Sequence, residues 1–248
     1  MKFLVTVKRV TDYEATIKLN ADKSGIVTDG VTMIVNPFDE IGVEEALVQK
    51  EKHGGEVVIL SIGTKDSTQQ IRSALAMGAD RGILVTHDGD LDSDGAARII
   101  QKICEEEKPD VILMGKQAID DDNNQAAQIL AENMGCGLAT FANTVTLEDG
   151  SATVAREADG GLETIKTTLP AVITTDLRLN EPRYASLPGI MKAKRKPLKE
   201  IASSELGLDL SPKVVVKGLE EPAQKASGQI VPDVATLVDK LQNEAKAL

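Results

Sequence analysis

Short apolar runs recur along this chain at intervals that leave room for one helix between most neighbours. Phe3-Leu4-Val5-Thr6-Val7, Val57-Val58-Ile59-Leu60, Gly82-Ile83-Leu84-Val85, Val111-Ile112-Leu113-Met114 and Ala171-Val172-Ile173-Thr174 have the length and β-branched content of buried strands. Helical spacing appears from Asn36 to about Lys52, Gln69 to Met77, Ala96 to Glu107 and from Ala126 onward. Alternating β and α units imply a parallel, doubly wound α/β sheet with right-handed crossovers. Hydrophobic residues make up 42% of the 248 positions and aromatics only 2%. The core must therefore be Val, Ile, Leu and Ala, which suits parallel strands covered by helices.

Local chemistry supports these boundaries. Asn36-Pro37-Phe38-Asp39-Glu40 supplies an N-cap, a proline at the first helical position and acids in the first turn. Gly78 and Pro109 stop the next two helices, and Asn20 to Gly25 reads as a hairpin turn. From about Gly137 the period changes: Asn143 to Leu147, Ala152 to Glu157 and Glu163 to Thr168 alternate around Glu148-Asp149-Gly150, as antiparallel strands do. Leu177 to Gly189 is polar, punctuated by proline and without helix or strand pattern. Beyond Lys199 the hydrophobic pattern thins until a last amphipathic helix, Val234 to Leu248. Residues 1–199 are thus expected to form the α/β domain and 200–248 an extended arm over a partner, a composition that also fits a loosely ordered tail.

Several functions are excluded or unsupported. A net charge of -11 without interleaved basic and aromatic residues lacks the footprint of a nucleic-acid binder. No apolar run approaches the roughly 18 residues of a membrane span, and Met1 directly precedes the first strand. The expectation is a bacterial cytoplasmic protein, or a mitochondrial matrix protein whose presequence is absent or internal. Cys104 and Cys136 fit a reducing compartment better than a disulfide framework. A phosphate-binding Gly-Lys-Ser/Thr loop is missing, and Gly135-Cys136-Gly137 has Thr140 where a dinucleotide fingerprint needs glycine. Asp90, Asp92 and Asp94 resemble part of a calcium loop but lack its bidentate Glu and follow a strand. His53 and His87 stand far apart, so neither a triad nor a histidine metal centre has material to be built from. Nothing presents nucleophile, base and orienting group together, which points to a binding subunit.

The positive signal is the loop Gly115-Lys116-Gln117-Ala118-Ile119-Asp120-Asp121-Asp122-Asn123-Asn124-Gln125, which joins the strand ending at Met114 to the helix opening at Ala126. Ligands of open α/β sheets sit at the carboxyl ends of strands, where helix N-termini hold anions. Thr6 to Lys8, Ile62-Gly63 and Gly115 onward reach that edge together, and the helices starting near Asn36 and Asn123 direct N–H groups to it. The loop is therefore a nucleotide-site candidate, although Asp and Asn also serve as ordinary caps and turn residues. Tyr13 and Phe38 flank the edge and could pack on a flat ring, Phe38 being equally suited to the core.

These residues also resemble the β (small) subunit of electron-transfer flavoproteins, of the AMP-binding type, from near Met1 to the final helix. The likeness rests on Asn36 to Leu47, Ala74 to Gly82, Gly115 to Gln125 and Leu177 to Lys196. It rests further on Val154-x-Arg156-x-x-Asp159-Gly160-Gly161-x-Glu163-x-Ile165 followed by Pro170-x-Val172-Ile173-Thr174. The resemblance implies a heterodimer whose α subunit holds the redox-active FAD, with the arm contacting that subunit, while this chain holds a structural AMP and performs no bond chemistry itself. AMP contacts would fall on Thr6, Asn36, Pro37, Phe38, Asp39, Ile62 and Gly115 to Ala126. Close relatives often carry Thr-Gly where this chain has Ala126-Ala127, so a hydroxyl ligand to the phosphate is lost. By the same resemblance Tyr13 and Phe38 approach the flavin. Leu187 becomes the tip of a loop that docks acyl-CoA and related dehydrogenases, followed by the basic Lys192, Lys194, Arg195 and Lys196, which would equally suit a solvated cationic run. Electrons would then pass to a membrane quinone oxidoreductase. The alternative is the electron-bifurcating branch, with a second FAD reduced by NADH; its loop reads Asp-Gly-Asp-Thr, so Asp120 to Gln125 favours AMP. A nucleotide-hydrolysing α/β protein would need a glycine-rich phosphate loop, which is absent.

Overall fold

A computed structural model of the chain describes residues 1–224 and 227–248. In chain order its elements are β1 (Lys2–Thr6), β2 (Arg9–Thr11), β3 (Met33–Val35), α1 (Pro37–His53), β4 (Glu56–Gly63), α2 (Thr68–Met77), β5 (Arg81–Thr86), α3 (Ser93–Glu107), β6 (Val111–Gly115) and α4 (Ala126–Met134). Then follow β7 (Gly137–Glu148), β8 (Ser151–Ala158), β9 (Gly161–Thr168), β10 (Ala171–Thr175), α5 (Leu187–Ala193), β11 (Leu198–Ala202) and α6 (Val234–Asp239). The large sheet has the order β11-β5-β4-β1-β6-β10-β7-β8-β9, and β2 pairs antiparallel with β3 in a small second sheet. All neighbours from β11 to β7 are parallel, while β7, β8 and β9 form the antiparallel addition. The doubly wound α/β fold expected from the alternating runs is the one observed.

Period-two alternation sorts each central strand between two cores. Phe3 and Val5, Val57 and Ile59, Val111 and Leu113 face α1 and α2, where they meet Val43, Leu47, Ile71 and Leu75. Leu4, Val58, Leu60 and Ile112 face the other way, against Ile99, Ile103 and Leu130 of α3 and α4. Strands buried on both faces cannot show polar alternation, hence the continuous apolar runs. After β1 the chain builds outward through β4 and β5, then returns with β6 on the opposite flank. This reversal opens a crevice at the carboxyl ends of β1, β4 and β6.

Three expectations need correction. The boundary at 199 falls inside β11, which pairs with β5, and Leu206, Leu208 and Leu210 pack on the second core. One compact unit comprises Met1–Ile17 and Val27–Val216. An edge strand with one exposed face reads as polar, which hid β11. Leu187 is no loop tip but the first residue of α5, capped by Ser186 Oγ, which accepts from Gly189 N at 3.1 Å. Pro188 masked that helix, although proline is tolerated at its start. The last helix is shorter than expected: α6 ends at Asp239 and continues as a π-turn over Lys240–Glu244.

A second unit comprises Lys18–Ile26 and Lys217–Leu248. Leu19 and Ile26 form the expected hairpin bridge, and Leu219 N donates to Lys23 O. The Asp233 side chain caps α6 through Thr236 N.

Candidate nucleotide site

At the crevice lies a cavity of about 330 Å³, within the range of small-molecule sites. Its walls come from the ends of β1, β4, β5 and β6 and the loops that follow them. Of the expected residues, Thr6, Asn36, Asp39, Ile62, Gly115, Lys116, Gln117, Ala118, Asp121, Asn123, Asn124, Gln125 and Ala126 line it. Pro37, Phe38, Ile119, Asp120 and Asp122 do not line it.

The start of α1 is the keystone. Asn36 makes no cap bond to its own helix. Its side chain instead crosses to the β6 loop, donating to Gln117 O at 2.9 Å and accepting from Ile119 N at 3.2 Å. Asp39 accepts from Lys8 N at 2.8 Å and Gly115 N at 2.9 Å, which ties the ends of β1 and β6 to α1. A side chain at Gly115 would collide with Asp39, Phe38 and Asn36, so only glycine permits this approach. Burial pushes the Asp39 carboxyl up to about 7 against the opposing effect of these hydrogen bonds. The start of α1 is thus tied by its Asn36 and Asp39 side chains to the chain after β1 and β6.

The α4 terminus is different. Gln125 contributes no side-chain cap, and Ala126 and Ala127 line the cavity, so the first-turn N–H groups of α4 border it. Asp122 and Asn124 adopt positive φ, 54° and 49°, which turns the chain sharply into the helix. Asn124 Oδ1 accepts from Gln128 Nε2 at 2.9 Å. Lys8 Nζ holds the acidic stretch by ion pairs to Asp120 at 2.8 Å and Asp121 at 2.9 Å. Burial pulls the Lys8 pKa down, but those two carboxylates outweigh it and hold the group above its usual value. Lys116 Nζ pairs with Asp176 at 2.7 Å and lies 5.1 Å from the Phe38 ring centre.

Phe38 is 7% exposed and belongs to the core, while Tyr13 is 71% exposed and lies outside the cavity. Leu187, Lys192 and Arg195 are exposed and take no part in the cavity either. Lys196 is not part of a solvated run, for it donates to Leu75 O and Ala79 O at the end of α2.

The opposite wall escaped the sequence reading. His87, Gly89, Leu91, Asp92, Ser93, Ala96 and Ile100 line it. Asp92 belongs to no calcium loop: its carboxylate caps α3 by accepting from Gly95 N at 2.9 Å. Among the described residues no group of His, Cys, Asp or Glu could hold a metal ion. The available signal was topological, since the loop after β5 must open on the same edge as those after β1 and β6. The α3 terminus carries a carboxylate cap whereas the α4 terminus has no side-chain cap, which makes the α4 end the better suited of the two to an anion.

Comparison with known proteins decides the family. A family model described as the electron transfer flavoprotein domain matches residues 24–206. The electron transfer flavoprotein subunit beta of Bradyrhizobium diazoefficiens is 52% identical, with all of both chains covered. The mitochondrial subunit beta of Arabidopsis thaliana is 49% identical over 99% of each chain, and the mouse subunit beta is 50% identical over 98% of this chain and 97% of its own. This chain belongs to the electron transfer flavoprotein β-subunit family. It is accordingly a component of a flavin-dependent electron carrier. Relatives in this family are bacterial and mitochondrial, and no helix among the described residues is long and apolar enough to cross a membrane.

Proposed function

We propose that this chain is the small subunit of a heterodimeric electron carrier, holding a structural AMP in the cavity while an α subunit holds the redox-active FAD. The observation that carries the reading is the uncapped α4 terminus opening into a cavity of about 330 Å³, fit for a phosphate. The N–H groups of Ala126 and Ala127 would meet the phosphate, and Ala126 offers no hydroxyl in addition. Apolar Leu91, Ala96, Ile100 and Met114 suit a base better than a charged group. AMP would supply no redox chemistry, and the loops after β1, β4 and β6 would hold it.

The FAD of the α subunit supplies the redox centre, and exposed Tyr13 approaches it from this side of the dimer, whereas Phe38, buried in the core, supports that edge without reaching the flavin. Exposed Leu187 serves as the apolar anchor for acyl-CoA and related dehydrogenases, with Lys192 and Arg195 steering their encounter. Electrons then leave for a quinone oxidoreductase, and this chain makes and breaks no bonds. Within the arm expected over 200–248, the described residues of the second unit, 217–224 and 227–248, serve as the contact with the α subunit.

Acid release of nucleotides from the purified heterodimer tests the reading. One AMP and one FAD per dimer is the expected result. Two FAD, with flavin absorbance bleached by NADH, would overturn it in favour of bifurcation.

A further inference from the structure

We infer that Arg183 and Glu44 form a clamp that positions the exposed apolar segment Tyr184–Met191 for the electron donor, an inference that rests on the docking role proposed above for Leu187. The segment between β10 and α5 has no strand or helix of its own, yet it is held closely to α1. Arg183 Nε donates to Glu44 Oε2 at 2.9 Å and Nη2 donates to Oε1 at 2.9 Å, a two-toothed fork. The Arg183 backbone N–H adds a bond to Glu44 Oε2 at 3.1 Å, and Nη1 reaches Glu51 Oε1 at 2.6 Å. Asn180 Nδ2 fastens the approach by donating to Ile41 O at 3.2 Å.

Glu44 is only 6% exposed, and a buried carboxylate needs a partner held in good geometry. The planar guanidinium supplies that geometry where a lysine would not. The next residue after the clamp, Tyr184, is 97% exposed, and Leu187 is 78% exposed. At the far end Arg72 Nη1 donates to Ala193 O at 2.6 Å and Lys196 O at 2.7 Å. Gly189 lies so close to α2 that a Cβ there would stand 2.5 Å from Ala76 O. Apolar side chains are thus offered to solvent between two fixed ends. Such fixing lowers the ordering cost when a partner docks. Glu44 itself is too buried to touch a partner, so it is a positioning residue acting through Arg183.

The test measures flavin reduction of the αβ dimer by a purified acyl-CoA dehydrogenase. Glu44→Gln and Arg183→Ala should raise the apparent KM about 3- to 10-fold with kcat little changed, and Arg183→Lys should fall between them and wild type. Amide exchange over residues 180–186 should quicken in Glu44→Gln. Leu187→Ala serves as the reference. A raised KM in Leu187→Ala beside an unchanged KM in Glu44→Gln would overturn the clamp alone. An unchanged KM in Leu187→Ala would overturn the docking role and the clamp with it.

Discussion

Replacing Asp39 by alanine should loosen the whole crevice. Its carboxyl accepts from the N–H groups of Lys8 and Gly115, and both would be left inside the protein without a partner. An unpaired buried donor costs about 1 to 3 kcal/mol, so two cost about 2 to 6. Removing a carboxyl whose burial is itself unfavourable offsets part of this, leaving about 2 to 4 kcal/mol. For a chain of this size that corresponds to a fall in Tm of roughly 4 to 15 °C. Asp39→Asn keeps one acceptor and should fall by about half as much.

The pH dependence gives a second reading of the same group. Its folded pKa of about 7 stands above the ordinary 3.8, so the folded state favours the neutral acid. The stability this contributes is complete below the ordinary pKa and is lost as pH rises through about 7. Asp39→Asn should remove that part of the slope. Thermal unfolding of the αβ dimer followed by circular dichroism between pH 4 and 8 measures both effects. A Tm for Asp39→Ala within about 1 °C of wild type at pH 7 would refute the reasoning, since two stranded donors cannot cost so little.

Three further outcomes are expected. Asn124→Ala and Gln125→Ala should lower nucleotide content and Tm together, because a ligand that binds only the folded state stabilises it by mass action; titration calorimetry with AMP measures the first directly. Glu107 is held down at about 2, chiefly by Arg81 with Lys2 assisting, so its stabilisation is present above the ordinary 4.5 and lost as pH falls through about 2. Unfolding free energies from urea titrations between pH 6 and 2 should therefore fall less steeply in Glu107→Gln, by about 1 kcal/mol or less because Arg81 is partly exposed. Ending the chain after Leu206 should lower Tm, since Leu208 and Leu210 leave the core, whereas ending it after Val216 should spare Tm and weaken association with α, which ultracentrifugation can separate.

The sequence by itself determined the fold class, because runs such as Val57 to Leu60 and Val111 to Met114 are buried on both faces and admit little but a parallel sheet between helices. It also determined one wall of the cavity, since Gly115 to Gln125 joins a strand to a helix and the chemistry of such junctions is local. Tertiary structure alone decided the rest. The Asn36 side chain looks like an ordinary cap, yet it crosses 81 positions to reach Gln117, and no local pattern records a hydrogen bond of that span. His87 to Ile100 became the opposite wall only once β5 took its place two strands from β1. Asp39 reads as a favourable charge in a first helical turn and proves to be a buried strut, because its surroundings come from β1 and β6. Periodicity reports which face of an element is apolar; which elements meet, and what their polar side chains then hold, depends on contacts between residues far apart in the chain.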